Sequence, residues 1–141
     1  MLDDVRELAM SKVRMGEPAT LANTASFQSG LAHHECAWRA ARLLVVQTFA
    51  DIEATVGGGA DLSPTMRADL RAAAVYATDV SREVAQWAHL AAGTTAIREG
   101  SRLERAFRDL FTGTQHAFIS QKVAIDAAQV WLGLVDDPLG L

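Results

Sequence analysis

One cysteine, Cys36, serves the whole chain, so neither a disulfide framework nor a thiolate metal cluster is open to it. Aromatic residues are also few, at 6% against 50% hydrophobic residues. Much of the apolar content is alanine instead, which suits close helix–helix packing. No block of like charges suggests a tail, and a net charge of -4 gives no electrostatic footprint for nucleic acid. No apolar run reaches the roughly 18 residues of a membrane span. The opening Met1-Leu2-Asp3-Asp4-Val5-Arg6-Glu7 is charged where a signal peptide is apolar. No segment alternates apolar and polar at period two, so no sheet is expected. These absences leave a soluble cytoplasmic protein, and 141 residues is one domain's length with room for a core.

What is present is helical periodicity. Leu2 to Val13 is expected to be a short helix, with Val5, Leu8, Ala9 and Lys12 at helical spacing and Gly16 and Pro18 to stop it. Only Met1 precedes it and no capping residue starts it, which reads as a cut edge. From Asn23 or Thr24 a long helix is predicted as far as Val56. There Phe27, Leu31, His34, Trp38, Ala41, Val45, Thr48, Ile52 and Val56 alternate spacings of four and three along one stripe. Gly57-Gly58-Gly59 ends it, because glycine loses too much backbone entropy to stay helical three times over. Ser63 as N-cap and Pro64 at the first helical position restart the helix. The third helix repeats the alternation through Met66, Leu70, Ala73, Ala77, Val80, Val84, Trp87 and Ala91, with Gly93 as its C-cap.

Together these two helices make a long αα-hairpin. Ser101 caps a shorter helix with Leu103, Phe107, Leu110 and Phe111 on its apolar side. Ser120 caps a last one, with Val123, Ala127, Val130, Trp131 and Leu134 inward and Asp136-Asp137-Pro138 at its end. The expected fold is all-α: an up-and-down four-helix bundle built on the long hairpin, as a single domain over residues 1–141. Phe27, Trp38 and Trp87 on the seams give that hairpin more apolar face than two short helices cover. A homo-oligomer, dimer or tetramer, is therefore expected.

Few residues could carry chemistry. His33-His34-Glu35-Cys36 looks like a metal cluster as text, but successive helical residues point about a hundred degrees apart and cannot converge on one ion. His34 lies on the apolar stripe and reads as a satisfied core or interface histidine. A di-iron bundle needs paired Glu-x-x-His motifs, and Gln86-x-x-His89 lacks the carboxylate. No metal site is expected. Arg98, Arg102, Arg105 and Arg108, interleaved with Glu99, Glu104 and Asp109, fit a solvated helix with pairs at spacings of three and four. Arg108 and Asp109 are neighbours, expected to diverge toward partners on another helix or subunit. His116, among the small residues Gly113, Thr114 and Ala117, has room for a ligand and a ring able to exchange a proton near neutral pH. Taken alone, one histidine reads as structural.

The order of features carries a resemblance. A helix, a glycine turn and a long hairpin lead to Leu90-Ala91-Ala92-Gly93-Thr94-Thr95-Ala96-Ile97. Then comes Leu103-Glu104-Arg105-Ala106-Phe107-Arg108-Asp109-Leu110. This resembles the C-terminal helical domain of the acyl-CoA dehydrogenase superfamily over nearly the whole chain, most specifically from Ala91 to His116. The resemblance implies the C-terminal part of a larger flavoenzyme architecture, with an N-terminal helical domain and a middle β-barrel, assembled as a homotetramer around such bundles.

It also implies a cofactor, FAD or FMN, and a small-molecule substrate held partly by the other domains. Gly93, with Thr94 and Thr95, would approach the flavin of a neighbouring subunit by its backbone. Ala92 stands where that turn commonly has its first glycine. Lys12 or Arg14 would meet the flavin pyrophosphate. In the family's dehydrogenases a glutamate eight residues after the aspartate commonly takes the substrate α-proton. That position is Ala117, and alanine takes no proton. His116 beside it matches the reduced-flavin monooxygenases acting on phenols and related compounds, where it would hydrogen-bond the substrate or the flavin's oxygen adduct. Alone, the chain is expected not to be a working flavoenzyme. The other reading is a stand-alone, non-catalytic helical bundle for assembly or binding.

Overall fold

The computed structural model describes residues 1–136, and five α-helices account for most of them. They are α1 (Leu2–Ser11), α2 (Ala25–Gly57), α3 (Pro64–Ala92), α4 (Arg102–Gly113) and α5 (Gln121–Trp131). Single 3-10 turns occur at Leu21–Asn23, Gly93–Thr95 and Ala117–Ile119. Among the described residues the one recorded β-bridge, between Val13 and Thr20, is isolated. The fold is therefore all-α.

Local chemistry explains the breaks. Ser63 Oγ accepts from the Met66 N–H at 3.2 Å, so α3 starts on the capping residue expected of it. Gly93 follows α3 with φ +55, the left-handed geometry in which a helix commonly closes. Ser101 Oγ accepts from the Glu104 N–H at 3.5 Å ahead of α4. Ser120 occupies the N-cap position of α5 but makes no side-chain capping bond. α1 is shorter than expected, ending at Ser11 rather than Val13, because Val13 pairs with Thr20 across a closed loop.

α5 also stops early. Gly133 at φ +67 turns the chain, and the Gly133 and Leu134 N–H groups bond back to Val130 O and Gln129 O. Leu134, expected inward, lies past this break and is 69% exposed, and Trp131, the last residue of α5 and also expected inward, is 55% exposed. Asp136 lies beyond the helix, and Asp137 and Pro138 fall outside the described residues.

The chain divides into two compact units, Met1–Trp38 with Val80–Gly113, and Arg39–Asp79 with Thr114–Leu141. In the first, Val5 and Ala9 of α1, Leu21, Phe27 of α2, Ala88, Ala91 and Ala92 of α3, Ala96 and Leu103 of α4 form one core. Small alanines there let the helices approach closely. Asp4 ties α1 to α4 through Arg102 Nε, 3.1 Å away. A hydrogen bond from the Met1 amino group, helped by Arg102, holds the Asp4 carboxyl below its usual range. Trp87 stacks between Phe27 (centroids 5.5 Å) and His34 (4.7 Å). Two of the aromatic residues expected to make the hairpin self-associate are thus used inside this unit. In the second unit Ala41, Ala68, Ala73, Val75, Val123 and Ala127 are buried, and Trp131 Nε1 donates to Asp69 Oδ1 at 2.8 Å.

Candidate functional site

Between α1 and α2 the chain makes a small closed loop. Lys12 leaves the helix in extended conformation, and its carbonyl accepts from the Leu21 N–H at 2.7 Å. At the tip the Glu17 N–H bonds to Arg14 O at 3.0 Å, with Gly16 at φ +84 supplying the positive dihedral of a tight turn. The loop holds Lys12 and Arg14 against the end of α3. Lys12 Nζ donates to Thr95 Oγ1 at 2.9 Å, and Arg14 Nη2 donates to Ala91 O at 3.4 Å.

Five residues singled out from the sequence, Lys12, Arg14, Gly93, Thr94 and Thr95, are therefore neighbours. Lys12 and Thr95 are half-buried, while Arg14, Gly93 and Thr94 are exposed. Two cations at the carbonyl end of α3 also suit the helix dipole, so part of their role is structural. Glycine at position 93 has a reason within the chain itself. A Cβ there would meet nothing within 4 Å, and it is the φ of +55 that selects glycine. Beside the cluster, Arg14, Phe27, Trp87 and Leu90 border an open depression of 240 Å³.

His116 lies in the other compact unit. It is exposed, follows the end of α4 and precedes the 3-10 turn Ala117–Ile119 as its N-cap. Its Nδ1 accepts from the Phe118 N–H at 3.3 Å, and its ring stands 5.3 Å from the Phe118 ring. The Arg71 guanidinium of α3 lies 5.1 Å over that same Phe118 ring. Nothing in the sequence pattern singles out Arg71 or Phe118, because they are distant along the chain and share no motif.

The remaining candidates have structural explanations. His34 Nδ1 is 2.8 Å from Gly30 O and its ring stacks on Trp87, as befits a satisfied histidine. Glu35 pairs with Arg6. His89 packs on Phe107 with ring centroids 4.3 Å apart. Among the described residues no group of three or more His, Cys, Asp or Glu side chains is placed to hold a metal ion. Nor is any helix there long and apolar enough to cross a membrane. Arg108 does not diverge from Asp109. It lies 3.3 Å from Glu104 one turn back and 3.9 Å from Asp109, since a long guanidinium stem can fold back over its own helix.

The family model described as acyl-CoA dehydrogenase, C-terminal domain, matches residues 1–121. The chain belongs to this family. Within it, the chain is similar to an indole-3-acetate monooxygenase of Acinetobacter baumannii, 26% identical over 137 residues, covering 97% of this chain and 35% of that protein. An indole-3-acetate monooxygenase of Pseudomonas putida is 27% identical over 132 residues, covering 94% and 34%. The chain thus spans 34–35% of the length of these curated relatives. The acyl-CoA dehydrogenase match takes in the Lys12–Thr95 cluster and His116 and stops at the start of α5.

Proposed function

We propose that this chain is the C-terminal helical domain of a flavin-dependent oxidoreductase of the acyl-CoA dehydrogenase type, on its monooxygenase side. In this reading Lys12, Arg14 and the Gly93–Thr95 turn form one edge of the flavin site. The observation that carries it is the meeting of those residues, with Lys12 Nζ 2.9 Å from Thr95 Oγ1 on an otherwise accessible surface. The donor set fits a phosphate-bearing flavin, FAD or FMN. It offers an ammonium, a guanidinium, hydroxyls and peptide N–H groups at a turn where glycine leaves the backbone uncovered. When bound, the flavin supplies the redox chemistry that no side chain here provides.

The chain's own residues then have limited tasks. Lys12 and Arg14 neutralise phosphate charge, and the turn at Gly93 fixes the cofactor's position. His116 hydrogen-bonds an oxygen near the reacting centre. Ala117 favours the monooxygenase side because it leaves no carboxylate to remove an α-proton, and both relatives named above are called monooxygenases. Most of a flavin's contacts would come from polypeptide outside these 141 residues, so this stretch alone is inactive and acts within a homo-oligomer. The substrate is a small molecule shared with that polypeptide.

Titration of the purified chain with FAD and with FMN, followed by flavin fluorescence, tests this. Weak, reversible binding is expected, falling about tenfold in Lys12→Met, the effect of losing one charge-assisted hydrogen bond. Unchanged binding in Lys12→Met together with Arg14→Gln would overturn the site. A tightly held flavin that, once chemically reduced and exposed to oxygen, oxygenates indole-3-acetate in the isolated chain would overturn the inactivity.

A further inference from the structure

Resting on that reading, we infer that His116 acts as a hydrogen-bond donor through Nε2–H rather than as a proton acceptor, and that Arg71 is a positioning residue acting on it through Phe118. A neutral imidazole has one N–H and one acceptor nitrogen, and the bond made by one nitrogen decides the state of the other. The Phe118 backbone N–H can only donate, and it points at Nδ1 from 3.3 Å. Nδ1 is therefore the acceptor, and in the neutral ring the proton sits on Nε2, at the opposite side of an exposed side chain.

The same bond closes the 3-10 turn. With φ -69 and ψ 134, His116 stands at the N-cap position, where a side-chain acceptor satisfies an otherwise free N–H. That role keeps the Nδ1 lone pair turned to the Phe118 N–H in the ring whose proton is on Nε2. A ring in this state has no lone pair left on Nε2 with which to take a proton from a substrate. What it offers is an N–H, suited to a carbonyl, phenolic or other electron-rich oxygen.

Phe118 supplies the second constraint. Its ring is 60% exposed, yet it is flanked by the His116 imidazole at 5.3 Å and the Arg71 guanidinium at 5.1 Å. A cation over an aromatic face restrains the ring. Since Arg71 belongs to α3, the restraint links a short turn to a long helix. The direction of Nε2–H is then set by α3 through Phe118, not by the turn alone.

Nuclear magnetic resonance on this chain reads both links without flavin, so failure of flavin binding and failure of this inference are separable. The Phe118 amide resonance is expected to shift in step with protonation of the His116 ring. In His116→Asn, whose Oδ1 can replace Nδ1 as acceptor, the amide is expected to stay bonded and to lose that pH response. Arg71→Ala is expected to reduce the ring-current shift of Phe118 on the His116 ring protons at least twofold, with helical content unchanged and Arg71→Lys restoring part of it. A Phe118 amide indifferent to His116 protonation, or a proton found on Nδ1 of the neutral ring, would overturn the donor assignment. An unaltered ring-current shift in Arg71→Ala would overturn the positioning role.

Discussion

At the scale of single residues, the most constrained position is a glycine that carries no chemistry. Gly30 lies inside α2, where glycine costs about 1 kcal/mol relative to alanine. A Cβ added there would fall 2.4 Å from Trp87 Nε1 and 2.9 Å from Cε2. The indole cannot swing aside freely, being stacked between Phe27 and His34, and His34 is itself bonded to the Gly30 carbonyl. Overpacking therefore outweighs the gain in helix propensity, and Gly30→Ala is expected to lose about 1–2 kcal/mol. Chemical denaturation measures this; a stabilised variant would show the indole shifting at little cost. A lone glycine in a long periodic helix does not by itself say which aromatic it faces. By contrast the family resemblance named Lys12 and the Gly93–Thr95 turn separately as flavin contacts, and nothing in the sequence paired them with each other. Eighty-three positions separate Lys12 from Thr95, and local pattern carries no such distance.

At the scale of elements, boundaries followed the capping chemistry where the side chain actually bonds. Ser63 and Ser120 were equivalent as text, yet the Ser63 hydroxyl meets the Met66 N–H and the Ser120 hydroxyl caps nothing. Ser63→Ala is thus expected to cost about 1 kcal/mol and Ser120→Ala distinctly less, as a pair of thermal melts would show. Equal losses would mean that the backbone at position 120, rather than a missing bond, sets the helix start. The hairpin helices were legible because their apolar periodicity runs for many turns and glycine and proline punctuate it. The end of α5 was misjudged for a related reason: apolar Leu134 continues the helical spacing, but Gly133 adopts a positive φ and breaks the helix first. Periodicity says which face a residue would occupy and not whether the helix reaches it.

At the scale of the whole molecule, the self-association expected from the sequence calls for a different surface. Phe27, placed on the sequence-predicted seam, is only 5% exposed, and Trp87 is stacked against it. Outward on α2, besides Trp38, Leu44 and Val56, is a second stripe, with Leu43 66% exposed and Val46 and Phe49 each 49% exposed. Leu43, Val46 and Phe49 recur at a spacing of three, about one helical turn apart. Sequence pattern finds the strongest stripe on a helix, and a helix that is apolar on two sides hides the weaker one behind it. Three large apolar side chains standing together in water favour burial by a partner, and a second copy brings an identical stripe. The chain, 15.1 kDa as a monomer, is therefore expected to run as a dimer or tetramer in light scattering at micromolar concentration. Leu43→Glu combined with Val46→Glu should return it to monomer mass with unchanged helical content, because neither side chain belongs to the buried core. If the double variant keeps the parent mass, the stripe is not the interface. A monomeric parent would remove the reason for seeking one.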